Sequence, residues 1–326
     1  MMNVAVSPSA TGCDSPAADI GWSARLDLMF RHDGTRTVLQ RNRHHGPLRV
    51  QRPFYPEGGI CHVYLLHPPG GVVAGDTLSI AALCGAESRV LLTTPSAGRI
   101  YQSNRRRQAQ AQDVHLEVES GARCEWLPQE TIVFNDAEAR NDLRVDLAAG
   151  AHFTGWEVTC LGRPAGARPF VSGRLRQRWS IYRGGQPLLL ERNEFAGGEA
   201  QLSEYWGLGG ATALGTLVST CAGGDIGERL RDCIDEVCGM AGQQVPADDC
   251  TRPATVYNQA PGSVCGTDMP LYRAPLVAVT ELPELVVVRA LGDSAASIKN
   301  VFFRLWSLLR LAQDERDPAA PRIWFT

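Results

Sequence analysis

A strand-corner-strand pattern recurs three times in the first half of the chain, and it limits the folds that the chain can adopt. The segments read LSIAALCGAESRVLL, LEVESGARCEWL and LRVDLAAGAHFTGW, and their corners lie at Gly85, Gly121 and Gly150. Glycine permits a sharp bend between two strands, and a repeat of roughly 30 to 36 residues is typical of stacked β-layers. The alternative is a chance similarity among glycine-rich turns.

Short runs rich in Val, Leu, Ile and aromatic residues extend from about residue 23 to residue 195, and they predict further strands. Val114, Leu116 and Val118 alternate with polar residues, as in a strand with one buried and one solvated face. We therefore predict a mainly β protein of stacked sheets, arranged as β-helix-like or sandwich-like layers.

Two segments in the C-terminal third have helical periodicity and predict α-helices near 225–240 and 294–312. In the second, apolar residues from Ile298 to Leu309 cover more than half of the helix circumference. Such a wide stripe indicates core packing, and a groove for a partner is the alternative. We also expect this stripe and the terminal RIWF to leave apolar surface exposed for partners.

The domain organisation follows from the composition of the remaining segments. Residues 1–20 have no hydrophobic period and are predicted to form a disordered tail. One β-rich domain is expected to span residues 21–326, interrupted by a Pro-rich loop near 242–270.

Charge and hydropathy argue against several classes of partner. The chain has 32 basic and 35 acidic residues and a net charge of -3, so we expect neither nucleic acid nor a membrane as partner. No stretch approaches the roughly 18 uninterrupted apolar residues of a membrane span, and the N-terminal segment does not resemble a secretory signal. We therefore expect a soluble, cytoplasmic protein. Its ten cysteines include no C-x-x-C pair that would suggest zinc or redox chemistry.

Motifs of the common enzyme classes are missing from the sequence. It contains no G-x-S-x-G elbow, P-loop, dinucleotide fingerprint or H-E-x-x-H pair. Four histidines between residues 44 and 67 have no spacing diagnostic of a metal site. We therefore predict that the protein is not an enzyme.

Four acidic residues are flanked by apolar or aromatic neighbours. They are Asp76, Glu130, Glu157 and Glu191. A carboxylate in such surroundings is costly unless an arginine, a backbone N–H or water satisfies it. Each is therefore either paired, with Arg163 or Arg192 available, or lines a water-filled interior passage.

Several longer motifs follow one another in a characteristic order. They read GWSARLDLMF, GPLRVQRPFYPEGGICHVYLLHPPGGVVAGD, EWLPQETIVF, GWEVTCLGR, PLLLERNEF and PRIWFT. In these motifs the chain resembles the urease accessory protein family UreD, called UreH in some bacteria. The resemblance implies a mainly β fold of stacked sheets with two helices and no catalytic activity.

The resemblance also implies partners and a cargo. A UreD-like protein is a scaffold that binds urease apoprotein and UreF, and UreF in turn recruits the nickel-carrying GTPase UreG. Nickel then passes in transit through an interior passage, without a tightly bound cofactor. Asp76, Glu130, Glu157 and Glu191 become the candidate nickel-contacting residues, because oxygen donors hold the ion more loosely than thiolates would.

Two sites depart from the family pattern. Gln102 stands where relatives usually have arginine in a Tyr-Arg-Ser triplet, and Arg168 lies where they usually have glutamate ahead of a phenylalanine. We assign no nickel role to either position.

Two other functions remain as alternatives. A carbohydrate-active enzyme on a stacked β-fold would need two carboxylates at a fixed separation in an open cleft. A purely structural adaptor would have all of its acids paired.

Overall fold

The computed structural model describes residues 21–242, 274–314 and 317–325. The predicted tail at 1–20 and nearly all of the predicted loop at 242–270 lie outside the described residues.

Seventeen strands form within the described ranges. In chain order they are β1 (Ser23–His32), β2 (Thr37–His45), β3 (Arg49–Val50), β4 (Cys61–Leu66), β5 (Thr77–Cys84), β6 (Arg89–Thr93), β7 (Gly98–Ile100), β8 (Gln110–Val118), β9 (Arg123–Trp126), β10 (Thr131–Val133), β11 (Ala137–Leu147), β12 (His152–Leu161), β13 (Gly173–Arg183), β14 (Gln186–Ala196), β15 (Ala213–Ser219), β16 (Leu276–Leu282) and β17 (Leu285–Gly292). The prediction of a mainly β protein is confirmed.

The strands form two sheets. Sheet I has the order β14-β13-β11-β8-β5-β1-β2. Sheet II has the order β16-β17-β15-β12-β9-β6-β4-β3, and the short strands β10 and β7 continue it beside the end of β12. Sheet II therefore splits between β9 and β10.

The chain alternates between the sheets in its central part. Strands β5, β8 and β11 pair in parallel within sheet I, and β6, β9 and β12 do so within sheet II. Gly85, Gly121 and Gly150 lie in the three corners that join β5 to β6, β8 to β9 and β11 to β12. The predicted stacking of β-layers is thus present, as a parallel coil of two sheets.

The corners do not all use glycine in the same way. Gly121 and Gly150 adopt positive φ angles of 67° and 72°, which favour glycine. In the first corner Glu87, two residues after Gly85, has the positive φ of 59°.

Three α-helices and two short 3-10 helices complete the described fold. They are α1 (Ala200–Ser203), α2 (Ile226–Gly242), α3 (Ala295–Asp314) and the 3-10 segments Pro164–Gly166 and Arg322–Phe325. The long helices α2 and α3 lie in the C-terminal third, as predicted, whereas α1 was not predicted. None of the described helices is long and apolar enough to cross a membrane.

Helices α2 and α3 cover the face of sheet II that points away from sheet I. Ile298, Phe302 and Leu309 on α3 are fully buried. Trp324, in the terminal RIWF, packs against Trp156 with ring centroids 5.3 Å apart. The expectation that this stripe is exposed for partners is therefore wrong, because sheet II and the C-terminal segment cover it.

Candidate functional site

A row of four amide side chains crosses the inner face of sheet I. Asn141 is paired in register with Gln112 on one side and with Gln177 on the other, and Gln177 is paired with Asn193. Residues opposite one another in a sheet point to the same face. Four neighbouring strands, β8, β11, β13 and β14, thus present one polar row to the inter-sheet space, about 14 Å long at a strand spacing of about 4.8 Å.

Sheet II supplies polar groups opposite this row. Gln177 Nε2 donates a hydrogen bond to Thr159 Oγ1 at 3.0 Å, and both residues are buried. Thr131 is paired in register with Thr159 and continues the polar surface along sheet II. The amide row and these hydroxyls form a polar layer, which we call the interior polar layer.

The interior polar layer lies between two apolar clusters. Leu143 and Trp179 belong to the cluster on one side, and Leu175 and Phe195 belong to the cluster on the other. A buried amide without a hydrogen-bond partner is costly. Asn141, only 4% exposed, has no partner for its Oδ1 atom among the described residues, so water is the natural partner in this layer.

A cavity opens at the end of the layer where sheet II splits. Its volume is about 440 Å³ and its walls include Gln110, Gln112, Asn141 and Thr131. The segment of residues 94–98, which joins β6 to β7, forms part of its mouth. The cavity has room for many water molecules, and water in it can reach Gln112 and Asn141 of the amide row, which line it.

Glu157, on β12, points from sheet II into the same inter-sheet space. Trp179 Nε1 donates a hydrogen bond to Glu157 Oε2 at 3.2 Å. Burial raises the pKa of this carboxyl from its ordinary value of 4.5 to about 7, and the nearby indoles of Trp179 and Trp126 oppose the shift. No cation among the described residues pairs with Glu157, so the group is poised to exchange a proton near neutral pH.

The raised pKa of Glu157 has a consequence for stability. Between about pH 4.5 and 7 the folded protein holds a proton that the unfolded chain has released, so this residue makes stability fall as pH rises. Glu157→Gln should remove this dependence and unfold with a free energy higher by about 1–3 kcal/mol above pH 7, allowing for partial solvent access. Urea titrations of both proteins from pH 5 to 8 measure the difference, and parallel pH profiles would contradict the assignment.

Glu191 lies at the β14 end of the layer. Its Oε1 atom accepts a hydrogen bond from Asn193 Nδ2 at 2.8 Å, and its Oε2 atom pairs with Arg289 at 2.5 Å. Arg289 is on β17 in sheet II, so the ion pair joins the two sheets near the β14 edge of sheet I. Arg289 is about half exposed, so the pair is in contact with water.

Glu130 lies where sheet II splits, on the side of helix α3. Lys299 on α3 donates to Glu130 Oε2 at 2.5 Å and to Gln129 Oε1 at 2.6 Å. The carboxylate is therefore ion-paired, although it lies close to the cavity wall formed by Thr131. Its partner is the single lysine of the chain.

Asp76 ends the glycine-rich turn between β4 and β5. Its two carboxylate oxygens accept hydrogen bonds from the backbone N–H groups of Trp22 and Val73, at 2.8 and 3.1 Å. Gly71 is required in this turn because a Cβ atom there would lie 2.2 Å from the ring of Tyr101. The carboxylate therefore fixes the turn, and no arginine pairs with it within the described chain.

The turn places Asp76 beside the cavity. A neighbouring cavity of about 340 Å³ is lined by Asp76 and shares His67, Gly71 and Leu78 with the larger one. Burial lowers the pKa of His67, and the charge of Asp76 opposes this shift. Asp76 and His67 therefore form a polar site next to the cavity mouth.

The structure does not join the four predicted acids into one ligand set. Glu157 and Glu191 lie beside the interior polar layer, Asp76 lines the neighbouring cavity, and Glu130 pairs with Lys299 on the α3 side of sheet II. Within the described ranges no three His, Cys, Asp or Glu side chains converge on a common point. The partners predicted for the acids are wrong, since Glu130 and Glu191 pair with Lys299 and Arg289. Sequence analysis missed the amide row, although each amide occupies an inward position of an alternating strand.

A surface groove of about 730 Å³ lies on sheet I and bears on the enzyme alternative. Its acids Asp113 and Asp142 both bind Arg140, at 2.8 and 2.7 Å, and its third acid, Glu191, pairs with Arg289. Two carboxylates held by one guanidinium form a structural ion network. The groove therefore gives no specific support to a glycosidase, which needs one acid free to donate a proton.

Comparison with known proteins gives a consistent result. The model of the family described as UreD urease accessory protein matches residues 23–325. The urease accessory protein UreD of Saccharophagus degradans is 35% identical over 326 residues, covering 100% of both chains. That of Chromohalobacter salexigens is 38% identical over 316 residues, covering 94% of this chain and 89% of the relative. That of Marinobacter nauticus is 47% identical over 203 residues, covering 60% of this chain and 68% of the relative. The chain therefore belongs to the UreD family of urease accessory proteins and has a role in urease maturation.

Proposed function

We propose that this protein is a non-catalytic scaffold that binds urease apoprotein and UreF, and through UreF the GTPase UreG. Nickel is its cargo and passes through the interior polar layer toward the urease active site. On this proposal, the protein acts in the cytoplasm and holds no cofactor tightly.

The observation that carries the proposal is the position of Glu157 beside the interior polar layer, one inward position along β12 from Thr159. The carboxyl lacks an ionic partner in the described structure and its pKa is about 7, so an approaching divalent cation displaces its proton at little cost. The side-chain oxygens of Gln177 and Thr159, on the adjacent inward positions of β13 and β12, offer further ligands for the ion. Such oxygen ligands bind nickel more weakly than thiolates or several imidazoles, which suits an ion in transit.

The route has polar groups at both ends. At the β14 end, Glu191 and Asn193 lie beside the partly exposed Arg289. At the other end, Gln112 and Thr131 line the cavity, and Asp76 and His67 lie next to its mouth. Asp76, Glu157 and Glu191 are thus close to the route, whereas Glu130 is paired with Lys299 on the α3 side of sheet II, so the four acids named from the sequence are in different electrostatic states.

Amide variants separate these states in one experiment. We expect Glu157→Gln to assemble normally with urease and UreF, while the nickel content per urease active site falls severalfold. Glu130→Gln and Glu191→Gln leave partly exposed cations unpaired, so each should lower stability by about 1 kcal/mol or less. Glu228→Gln, an exposed acid on α2, serves as the control.

Complex recovery and nickel per active site are measured on the same samples. If the Glu157, Glu130, Glu191 and Asp76 amide variants all yield fully nickel-loaded urease, the passage assignment is wrong. If cells lacking the gene mature urease fully, or if the protein binds neither urease apoprotein nor UreF, the scaffold itself is wrong.

A further inference from the structure

Two adjacent aromatic side chains project into solvent outside the interior polar layer. Tyr205 and Trp206 are 88% and 73% exposed, which makes them the two most exposed large aromatic residues of the described chain. They follow helix α1, in the segment SEYWGLGG that leads to β15. Exposed aromatic side chains of this size are enriched at the centres of protein interfaces.

The segment that carries them is held in a fixed conformation. Glu204 O accepts backbone hydrogen bonds from Gly207 and Gly209, both at 3.0 Å. Leu208 N donates to Gln201 O at 2.8 Å, and its side chain is buried in the apolar cluster that contains Phe195. The backbone thus holds the two rings in solvent, which lowers the entropic cost of binding a partner.

Trp206 also forms one wall of a surface pocket. The pocket has a volume of about 440 Å³, and its other lining residues are Arg174, Glu194, Ala196, Glu199, Ala200 and Gln201. Glu194 is paired with Arg174 at 2.6 Å. Glu199, and Glu204 beside the rings, are exposed and have no ionic partner in the described structure. The pocket therefore combines an aromatic wall with unpaired negative charge.

We propose that Tyr205, Trp206, Glu199 and Glu204 form a docking surface for a protein segment that presents an arginine or lysine among apolar residues. The cation lies over the Trp206 ring and pairs with Glu199, while the apolar flanks cover Tyr205. A cation over an indole face is favourable, and more so when the partner excludes water. The inference rests on the proposed function, which supplies the two proteins on which the surface is tested.

The test uses the full-length protein, purified urease apoprotein and purified UreF, with dissociation constants measured by biolayer interferometry. For at least one of the two partners, Tyr205→Ala/Trp206→Ala should bind at least tenfold more weakly. Glu199→Gln/Glu204→Gln should bind that same partner severalfold more weakly and with a smaller dependence on salt. Leu276→Ala, which removes an equally exposed apolar side chain, and Glu228→Gln are the matched controls and should bind as the wild type does. Circular dichroism melting curves confirm that each variant is folded.

The remaining outcomes are distinguishable. Unchanged affinity of the folded aromatic variant for both partners overturns the docking surface and leaves the scaffold intact. Failure of the wild type to bind either partner overturns the scaffold and the docking surface together. The wild type is also tested for self-association and for binding to phosphatidylglycerol vesicles. If the aromatic variant loses either property while its affinities for urease apoprotein and UreF stay unchanged, the choice of partner is overturned.

Discussion

Arg310→Met is expected to lower the free energy of unfolding by about 3–5 kcal/mol, the largest stability loss that we predict for one side chain. Arg310, on α3, is 2% exposed and pairs with Glu125 and, at 2.5 Å, with Glu57. Its removal leaves two carboxylates in the protein interior without this cation. Burial raises the pKa of Glu125 and the charge of Arg310 opposes that shift, so loss of the guanidinium favours protonation of Glu125. Urea unfolding at pH 7 measures the loss.

Two controls define the Arg310 result. Arg229→Met, which removes an exposed cation 3.8 Å from Asp225, should cost less than about 1 kcal/mol. Arg310→Met combined with Glu57→Gln and Glu125→Gln should recover part of the loss, because neither carboxylate is then left without the guanidinium. A loss below about 1 kcal/mol for Arg310→Met alone would show that the buried network is not built as described.

Asn141→Leu/Gln177→Met is expected to impair nickel delivery while leaving the stability of the protein nearly unchanged. These substitutions keep side-chain volume nearly constant and replace two buried amides by apolar groups. Asn141→Leu removes an amide whose Oδ1 lacks a partner in the described structure, which favours stability, whereas Gln177→Met removes the hydrogen bond to the buried Thr159 hydroxyl, which lowers stability. The two effects oppose each other, so the melting temperature should change little. Nickel per urease active site should fall about tenfold, since the middle of the polar layer becomes dry. Calorimetry and metal analysis of the purified complex measure both quantities.

The matched control for this variant changes the neighbouring rows. Leu143 and Leu175 are buried on the same strands, two residues from the amides. Leu143→Met/Leu175→Met repacks apolar side chains without touching the polar layer, so nickel loading should be that of the wild type. Equal nickel loss in both double variants would assign the effect to packing.

Much of the fold could be predicted from local patterns. Alternation in β8 and the corners at Gly85, Gly121 and Gly150 depend on residues close in sequence, and they predict strands that stack. The apolar stripe of α3 identified a core helix for the same reason. The expectation that this stripe is also exposed was wrong. Sheet II and Trp324 cover the stripe, and this contact depends on tertiary packing.

The candidate site could be predicted only in part. The apolar neighbours of Glu157 indicated a buried carboxyl, but its lack of an ionic partner is a tertiary property. Glu191 pairs with Arg289, 98 residues later, and Glu130 with Lys299, 169 residues later. No local pattern specifies such contacts. The amide row was open to sequence analysis, because Gln177 lies between inward-pointing Leu175 and Trp179.

The central claim is that nickel travels inside the protein, and a chelator challenge tests it most directly. Urease apoprotein is assembled with the wild-type protein, UreF and nickel-loaded UreG, and EDTA is added in excess before GTP starts the transfer. Nickel per urease active site is then measured by inductively coupled plasma mass spectrometry. We predict that the wild-type complex still loads urease, because the ion does not enter bulk solvent, and that Asn141→Leu/Gln177→Met does not. If EDTA abolishes loading by the wild-type complex, nickel crosses open solvent and the interior route is contradicted.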